Sequence, residues 1–271
     1  MQNEIALHVV DRGQRDPALV FIHGFTTDLT DWNAQVETLA GEFRCVALDL
    51  PGHGDSPAAA APVPSVEAFA KTINATLDRL QLTSAVLVGH SMGCHMATET
   101  CLQRPDRIRG IVYVDGSVQP VADPDASMQN VQQAIDKAGG MQRFVANLYQ
   151  HFFVPGTPQW VRDFALARQD RIDPNYGRTL FLDYIRWATR PVRNLADLRV
   201  PVMVLQSTVL SAQLQRTSLR AGERTFWMDE IARNVPDARL ETVLGVGHFS
   251  PLEAPEQISE LIRDFARRFA G

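Results

Sequence analysis

The sequence predicts an α/β fold: a mostly parallel sheet with helices on both faces and a helical cap inserted between two of its strands. Three observations carry this. Short, continuous apolar runs alternate with amphipathic stretches, as expected of strands buried on both faces. Several of the runs end directly in glycine-bearing turns. The alternation then stops between residues 117 and 198, where helical patterns follow one another without a convincing strand.

In chain order, Ile5–Val10 suits an antiparallel edge strand, Ala18–His23 a buried strand and Trp32–Ala40 a helix. Arg44–Asp49 is the next strand and Val66–Leu80 the next helix, with a short proline- and alanine-biased loop over Pro57–Pro64 between them. Ser84–Gly89 and Ile108–Asp115 read as strands flanking a helix over Met92–Arg104. Helical patterns over Met128–Ala138, Met141–Phe153, Trp160–Arg168 and Tyr176–Thr189 are punctuated by prolines at 120, 124, 155, 158, 174 and 191. Val202–Gln206 and Arg239–Val243 resume the strands, and Pro255–Ala270 closes the chain as a helix. The expected division is a core of residues 1–116 and 199–271 with a cap of residues 117–198.

Composition narrows the function. The 271 residues carry 26 Lys+Arg against 31 Asp+Glu, a formal net charge of −5, so a basic footprint for nucleic acid is absent. Hydrophobic residues make up 45%, an ordinary globular balance. No internal repeat occurs. The first residues lack the basic and apolar regions of a signal peptide, and no run reaches the ~18 apolar residues of a membrane helix. Cys45, Cys94 and Cys101 are too few for a disulfide framework and show no metal spacing. A small-molecule partner, no membrane and a cytoplasmic location are expected.

The strongest chemical signal is Gly89-His90-Ser91-Met92-Gly93, after one strand and opening a helix. In that context Gly-x-Ser-x-Gly is a nucleophile elbow, whose tight turn lifts the serine oxygen clear of the sheet. The helix behind it aims backbone N–H groups at developing negative charge. An activating base is expected late in the chain, and His248, in Gly247-His248-Phe249 after the last strand, sits where parallel strands open onto one crevice. His53 and His95 read as structural or as pocket lining. No His-Glu-x-x-His pattern occurs, so metal chemistry is not expected.

With these residues in place the chain resembles the α/β-hydrolase superfamily, its cap-bearing serine esterase and C–C hydrolase-like branch, over essentially its whole length. The resemblance rests on His23-Gly24-Phe25, on Asp49-Leu50-Pro51-Gly52-His53-Gly54-Asp55-Ser56, on the elbow at 89–93 and on Gly247-His248. It implies an oxyanion hole of two backbone N–H groups, those of Phe25 and Met92. Asp49 and Asp55 read as loop-fixing residues.

One position departs from the family pattern. The superfamily's acid usually follows the penultimate strand in a Gly-x-x-Asp turn, but here Val202–Gln206 continues into Ser207–Ala212 without a carboxylate, and Leu210 stands roughly where the aspartate belongs. A polar insertion, Ser211–Thr225, follows. Asp115, ending the strand Ile108–Asp115, occupies the position that supplies the acid in a minority of the superfamily, including some haloalkane dehalogenases. Glu223 and Asp229 flank the insertion as alternatives, and a site without an acid is the third possibility. If Asp115 is the acid, Asp115→Asn lowers turnover by orders of magnitude while leaving the fold intact.

The expected chemistry is hydrolysis of a small, fairly apolar carboxylic ester or lactone through an acyl-enzyme on Ser91, with no cofactor. C–C bond hydrolysis, acyl transfer or perhydrolysis by the same Ser–His pair is the alternative. A non-catalytic small-molecule receptor on a hydrolase fold is the alternative of another class. Aromatic residues of the cap (Phe144, Tyr149, Phe152, Phe153, Trp160, Phe164, Tyr184, Trp187) divide between helix core and pocket lining. Arg168, Arg171 or Arg190 could bind a substrate carboxylate.

Overall fold

The computed structural model describes residues 5–58, 63–118, 123–189, 193–211 and 215–270. Seven strands form one sheet: β1 (Val9–Arg12), β2 (Ala18–Ile22), β3 (Cys45–Leu48), β4 (Ala85–His90), β5 (Ile108–Val114), β6 (Val202–Gln206) and β9 (Arg239–Thr242). Their order across the sheet is β1-β3-β2-β4-β5-β6-β9. All neighbours are parallel except β1, which pairs antiparallel with β3.

Continuous apolar strands build this sheet because both faces are covered. Side chains alternate along each strand, so Val20 and Ile22 face one apolar cluster while Leu19 and Phe21 face the other, and β4 divides Leu87 from Val86 and Val88 in the same way. Helices α2 (Val66–Arg79), α3 (Met92–Gln103) and α9 (Phe226–Asn234) cover the first face through Phe69, Ile73, Met96, Ala97, Trp227 and Ile231. Helices α1 (Asn33–Leu39) and α11 (Pro255–Arg267) cover the second through Val36, Leu39, Ile258, Ile262 and Phe265. Ser65 and Thr225 start α2 and α9 as side-chain caps, accepting from the backbone N–H of Ala68 and Met228 at 3.1 Å each.

Between β5 and β6 the chain forms α4 (Pro124–Ala138), α5 (Met141–Gln150), α6 (Gln159–Leu166), α7 (Pro174–Ala188) and the short α8 (Arg193–Ala196). Helices α4 to α7 share a third apolar cluster, including Ile135, Phe144, Leu148, Val161 and Phe181, which also takes in Phe249 and Leu252 from the loop and helix α10 (Ser250–Glu253) after β9. The helical segment is thereby packed against the strand ends.

Two local expectations differ from the structure. The edge ladder runs over Val9–Arg12 rather than Ile5–Val10, with Asp11 and Arg12 exposed, as an edge paired on one side allows. The stretch after β6 forms a hairpin of β7 (Thr208–Leu210) and β8 (Arg216–Ser218) in place of a plain polar insertion. Its strands have only three residues each and little apolar patterning, so no periodicity marks them. The expected loop over Pro57–Pro64 lies partly outside the described residues, at 59–62.

The chain passes from β2 to β3 on one side and to β4 on the other, so the strand order reverses between β2 and β4. That switch point opens a crevice at the carboxyl ends of both strands. His23-Gly24-Phe25 and Ser91 lie at its two lips.

Candidate active site

Ser91 follows β4 at φ 54°, ψ −118°, a conformation that side-chain-bearing residues rarely adopt and that costs of order 1–3 kcal/mol. Two glycines make the turn possible. A Cβ on Gly89 would lie 2.3 Å from the carbonyl oxygen of Gly93, and one on Gly93 would lie 2.3 Å from that of Ile22. The strand can therefore fold straight back into α3, with α3 pressed against β2.

The Ser91 hydroxyl lies 3.0 Å from Nε2 of His248, whose Nδ1 is 2.6 Å from Oδ2 of Asp115. An ionised carboxylate only accepts, so Nδ1 carries the proton, Nε2 is the acceptor, and the Ser91 O–H donates to it. His248 stands on the loop between β9 and α10. Its backbone is held by His90 Nε2, which donates to the His248 carbonyl at 2.8 Å, and the preceding Gly247 is held by Ser207 Oγ, donating to its carbonyl at 3.0 Å. The Phe152 ring packs on the imidazole with centroids 4.6 Å apart.

Asp115 follows β5 at φ 44° and is fully buried. Its Oδ1 accepts from Gln206 Nε2 and from the backbone N–H of Ser207 and Thr208 at 2.8–3.0 Å. Its Oδ2 accepts from Thr208 Oγ1 at 2.7 Å and Arg216 Nη1 at 3.0 Å as well as from His248. Burial alone would raise this acid, but the Arg216 guanidinium and the bonds from His248 and Thr208 more than offset it and hold Asp115 ionised, well below the usual carboxylate range. His248 is held down to about 3, first by burial and then by Arg216, so the imidazole is neutral and free to accept a proton.

Glu223 and Asp229 are not brought to His248. Glu223, half-buried, accepts from the backbone N–H of Arg220 at 2.9 Å, and Asp229, exposed, accepts from Arg224 at 2.7 Å; neither lines the cavity. Because Thr208 and Arg216 of the hairpin turn inward onto Asp115, the carboxylates beyond it are left at the surface.

Gly24, Phe25, Ser91, Met92 and His248 line a cavity of about 160 Å³. A Cβ on Gly24 would lie 3.3 Å from the Ser91 Cβ, so this backbone passes close beside the nucleophile candidate. Met92 opens α3, where N–H groups have no partner inside the helix. The Phe25 segment is fixed from two sides. His23 donates from Nδ1 to the Gly24 carbonyl at 2.7 Å while its Nε2 accepts from Leu50 N–H at 3.0 Å, and Thr26 Oγ1 bonds the Tyr149 hydroxyl at 2.8 Å. The rest of the wall is largely apolar, with Leu148, Tyr149, Phe152, Phe181, Tyr184 and Phe249.

Other residues singled out in the sequence take structural places. His53 donates to the Pro51 carbonyl at 3.1 Å, and His95 packs between Tyr184, Trp187 and Trp227. Asp49 accepts from Leu29 and Asp55 N–H at 2.8 and 2.9 Å, fixing its loop, whereas the Asp55 side chain is largely exposed. Of the eight aromatics singled out between β5 and β6, Tyr149, Phe152 and Tyr184 reach the cavity, Phe144, Phe153 and Trp187 are buried in the packing, Phe164 is partly buried against it, and Trp160 is exposed. Arg168 is spent on Asp28 at 2.9 Å and Asp31 at 2.5 Å and does not line the cavity. Arg171 is exposed, 3.7 Å from Asp28. Arg190 lies outside the described residues. All three cysteines are buried and free. Among the described residues no cluster of His, Cys, Asp and Glu could hold a metal, and no helix is long and apolar enough to cross a membrane. Sequence reasoning missed His90, which bonds the His248 carbonyl, and Arg216, which bonds Asp115; both also line the cavity.

Burial has a consequence for stability. It holds His23 and His248 down to about 3, His53 and His95 to about 4, and His90 below its ordinary value. The unfolded chain binds protons at these five histidines below about pH 6.5 while the folded chain does not, so acid favours unfolding. Stability should be flat above about pH 7 and should fall steadily as the pH drops from about 6.5 towards 4. Urea unfolding at about pH 7.5 and pH 5.5 measures this, and equal stabilities at the two values would contradict it.

A profile of the family described as the alpha/beta hydrolase family matches residues 19–261. The dihydrolipoyllysine-residue acetyltransferase component of the acetoin cleaving system of Pseudomonas putida is 26% identical over 94% of this chain, which spans 65% of that protein's length. The sn-1-specific diacylglycerol lipase ABHD11 of Mus musculus is 26% identical, over 96% of this chain and 84% of the lipase. In structure, a thermophilic esterase from Thermogutta terrifontis superposes with a TM-score of 0.80 at 24% identity, over 98% of this chain and 95% of the esterase, a likeness of fold.

Proposed function

Since the chain belongs to the alpha/beta hydrolase family, we propose that it is a serine hydrolase that cleaves a small, fairly apolar carboxylic ester or lactone through an acyl-enzyme. The observation that carries this reading is the hydrogen-bonded line from Ser91 through His248 to Asp115, at 3.0 and 2.6 Å, opening onto a largely apolar cavity. Helices α4 to α7 serve as a cap over that cavity, to which they contribute Tyr149, Phe181 and Tyr184.

In the first half-reaction the Ser91 oxygen attacks the carbonyl carbon while its proton passes to His248 Nε2, and the carbonyl π pair moves onto oxygen. Asp115 holds the ring and stabilises the imidazolium. The oxyanion is met by the backbone N–H groups of Phe25 and Met92, each worth roughly 100–1000-fold in rate. As the intermediate collapses, His248 returns the proton to the departing alkoxide, leaving the acyl group on Ser91. Water then repeats the sequence, with its proton taken by Nε2, and the released carboxylic acid leaves Ser91 protonated again. No step draws on a cofactor.

The test is rapid-mixing hydrolysis of p-nitrophenyl butyrate. An acyl-enzyme gives an initial burst of about one nitrophenolate per chain, then slower turnover. Cleavage of a vinylogous 1,5-diketone with no ester hydrolysis would replace this reading by C–C bond hydrolysis. Saturable binding of small esters without product would replace it by a non-catalytic receptor.

A further inference from the structure

The hairpin β7–β8 stands directly after β6, where the expected aspartate is missing, and it presents a cation to the site. Arg216, 7% exposed, donates from Nη1 to Asp115 Oδ2 at 3.0 Å and to Thr208 Oγ1 at 2.8 Å, and from Nη2 to Ser117 Oγ at 3.3 Å. Its own backbone N–H is tied to the His151 carbonyl at 3.0 Å, and its guanidinium lies 5.5 Å from the centre of the Phe152 ring that covers His248. One carboxylate oxygen of Asp115 is therefore shared between His248 and Arg216. We propose that Arg216 is a positioning residue that acts on His248 through Asp115: it holds Oδ2 in line with Nδ1 and cancels the acid's charge, so that the imidazole stays an unprotonated base on the acidic side of neutrality. This inference rests on the serine hydrolase reading.

The charge count explains the direction. With Asp115 negative, Arg216 positive and His248 neutral, the buried trio is neutral at rest, and a proton on His248 makes it cationic. Without Arg216 the resting trio is anionic and draws a proton onto His248 more readily, removing the base that Ser91 needs. The other groups facing the trio are His90 at the end of β4, held neutral by burial, Glu253 from α10, bonded to Gly247 N–H at 3.0 Å, Cys94 of α3, whose thiol is pushed up by burial, and Tyr184 of α7, whose phenol is likewise raised. None of them supplies a second cation. Burial also lowers His248, so the cation's share is isolated only by changing residue 216.

The experiment is the rate of Ser91 labelling by a fluorophosphonate against pH, read by intact mass, with circular dichroism confirming folded protein at each point. The native chain should label at a nearly constant rate between about pH 5.5 and 8, where an ordinary histidine would already be titrating. Arg216→Gln should label more slowly, with its acid limb moved up by about 1–3 pH units, as expected for loss of one nearby charge. Arg216→Lys should keep the limb low, since it restores the charge without the planar fork. A structural role alone lowers the rate without moving the limb, so coincident limbs in Arg216→Gln and the native chain would overturn the proposal. If Arg216→Gln does not fold, Arg216→Met, which removes the charge but keeps an unbranched stem, takes its place with the same outcomes, and an acid limb near pH 6.5 in the native chain also overturns the proposal. No labelling of native Ser91 at any pH would sink the serine hydrolase reading instead.

Discussion

Ser91→Ala should lower ester turnover by roughly five to six orders of magnitude, and Ser91→Ala combined with His248→Ala should lose no more than either alone. The reason is geometric. Among the described residues His248 Nε2 has one hydrogen-bond partner, Ser91 at 3.0 Å, so once either partner is gone the other has nothing to act on. Alanine keeps the Cβ that the turn after β4 already accommodates at φ 54°, and the backbone bond from Ser91 N–H to the Val114 carbonyl at 3.0 Å does not involve the side chain, so the variant should stay folded. Steady-state hydrolysis of p-nitrophenyl butyrate checks this. A residual rate above about a thousandth of the native one would contradict it.

Asp115→Asn should lower turnover about 10⁴-fold, because an amide cannot hold His248 in the tautomer that leaves Nε2 free to accept. The fold is expected to survive this change, and the structure adds a cost in stability. Asp115 and Arg216 are both buried and 3.0 Å apart, so neutralising the acid strands a buried cation. Removing one partner of such a pair costs about 3–5 kcal/mol. Turnover should therefore be measured where denaturant unfolding shows the variant still folded, and its unfolding midpoint should fall well below that of the native chain. Unchanged stability with low turnover would mean that Arg216 relaxes away from the site. Glu223→Gln and Asp229→Asn, on the surface, should leave turnover within about twofold, the scale of ordinary surface changes.

What was legible in the sequence follows from the physics of each element. Strands buried on both faces read as continuous apolar runs, so Ala18–Ile22, Ala85–His90 and Val202–Gln206 stand out, and the alternation itself dictates a parallel sheet. The elbow shows because a Cβ at Gly89 or Gly93 would collide with neighbouring backbone, so glycine is required at both places and leaves a local signature. His248 could be proposed because parallel strands deliver all their carboxyl ends to one crevice. The surrounding polar framework was not legible. Arg216 meets Asp115 from 101 residues away, on a hairpin whose three-residue strands carry no periodic signal. His90 looks like a filler position in the elbow until its ring is seen donating to the His248 carbonyl. Arg168 reads as a candidate substrate binder because nothing local shows that Asp28 and Asp31, some 140 residues earlier, consume its charge. Choosing among Asp115, Glu223 and Asp229 required knowing which way the chain turns after β6, and that is decided by long-range packing.

The central claim is that Ser91 is a nucleophile armed by His248. The measurement that tests it most directly is intact-mass analysis with peptide mapping after exposure to a fluorophosphonate. The predicted result is one adduct per chain, on the peptide carrying Ser91, formed quickly by the native chain and lost in His248→Ala. A folded native chain that takes up no adduct, or takes it up equally well without His248, would contradict the account.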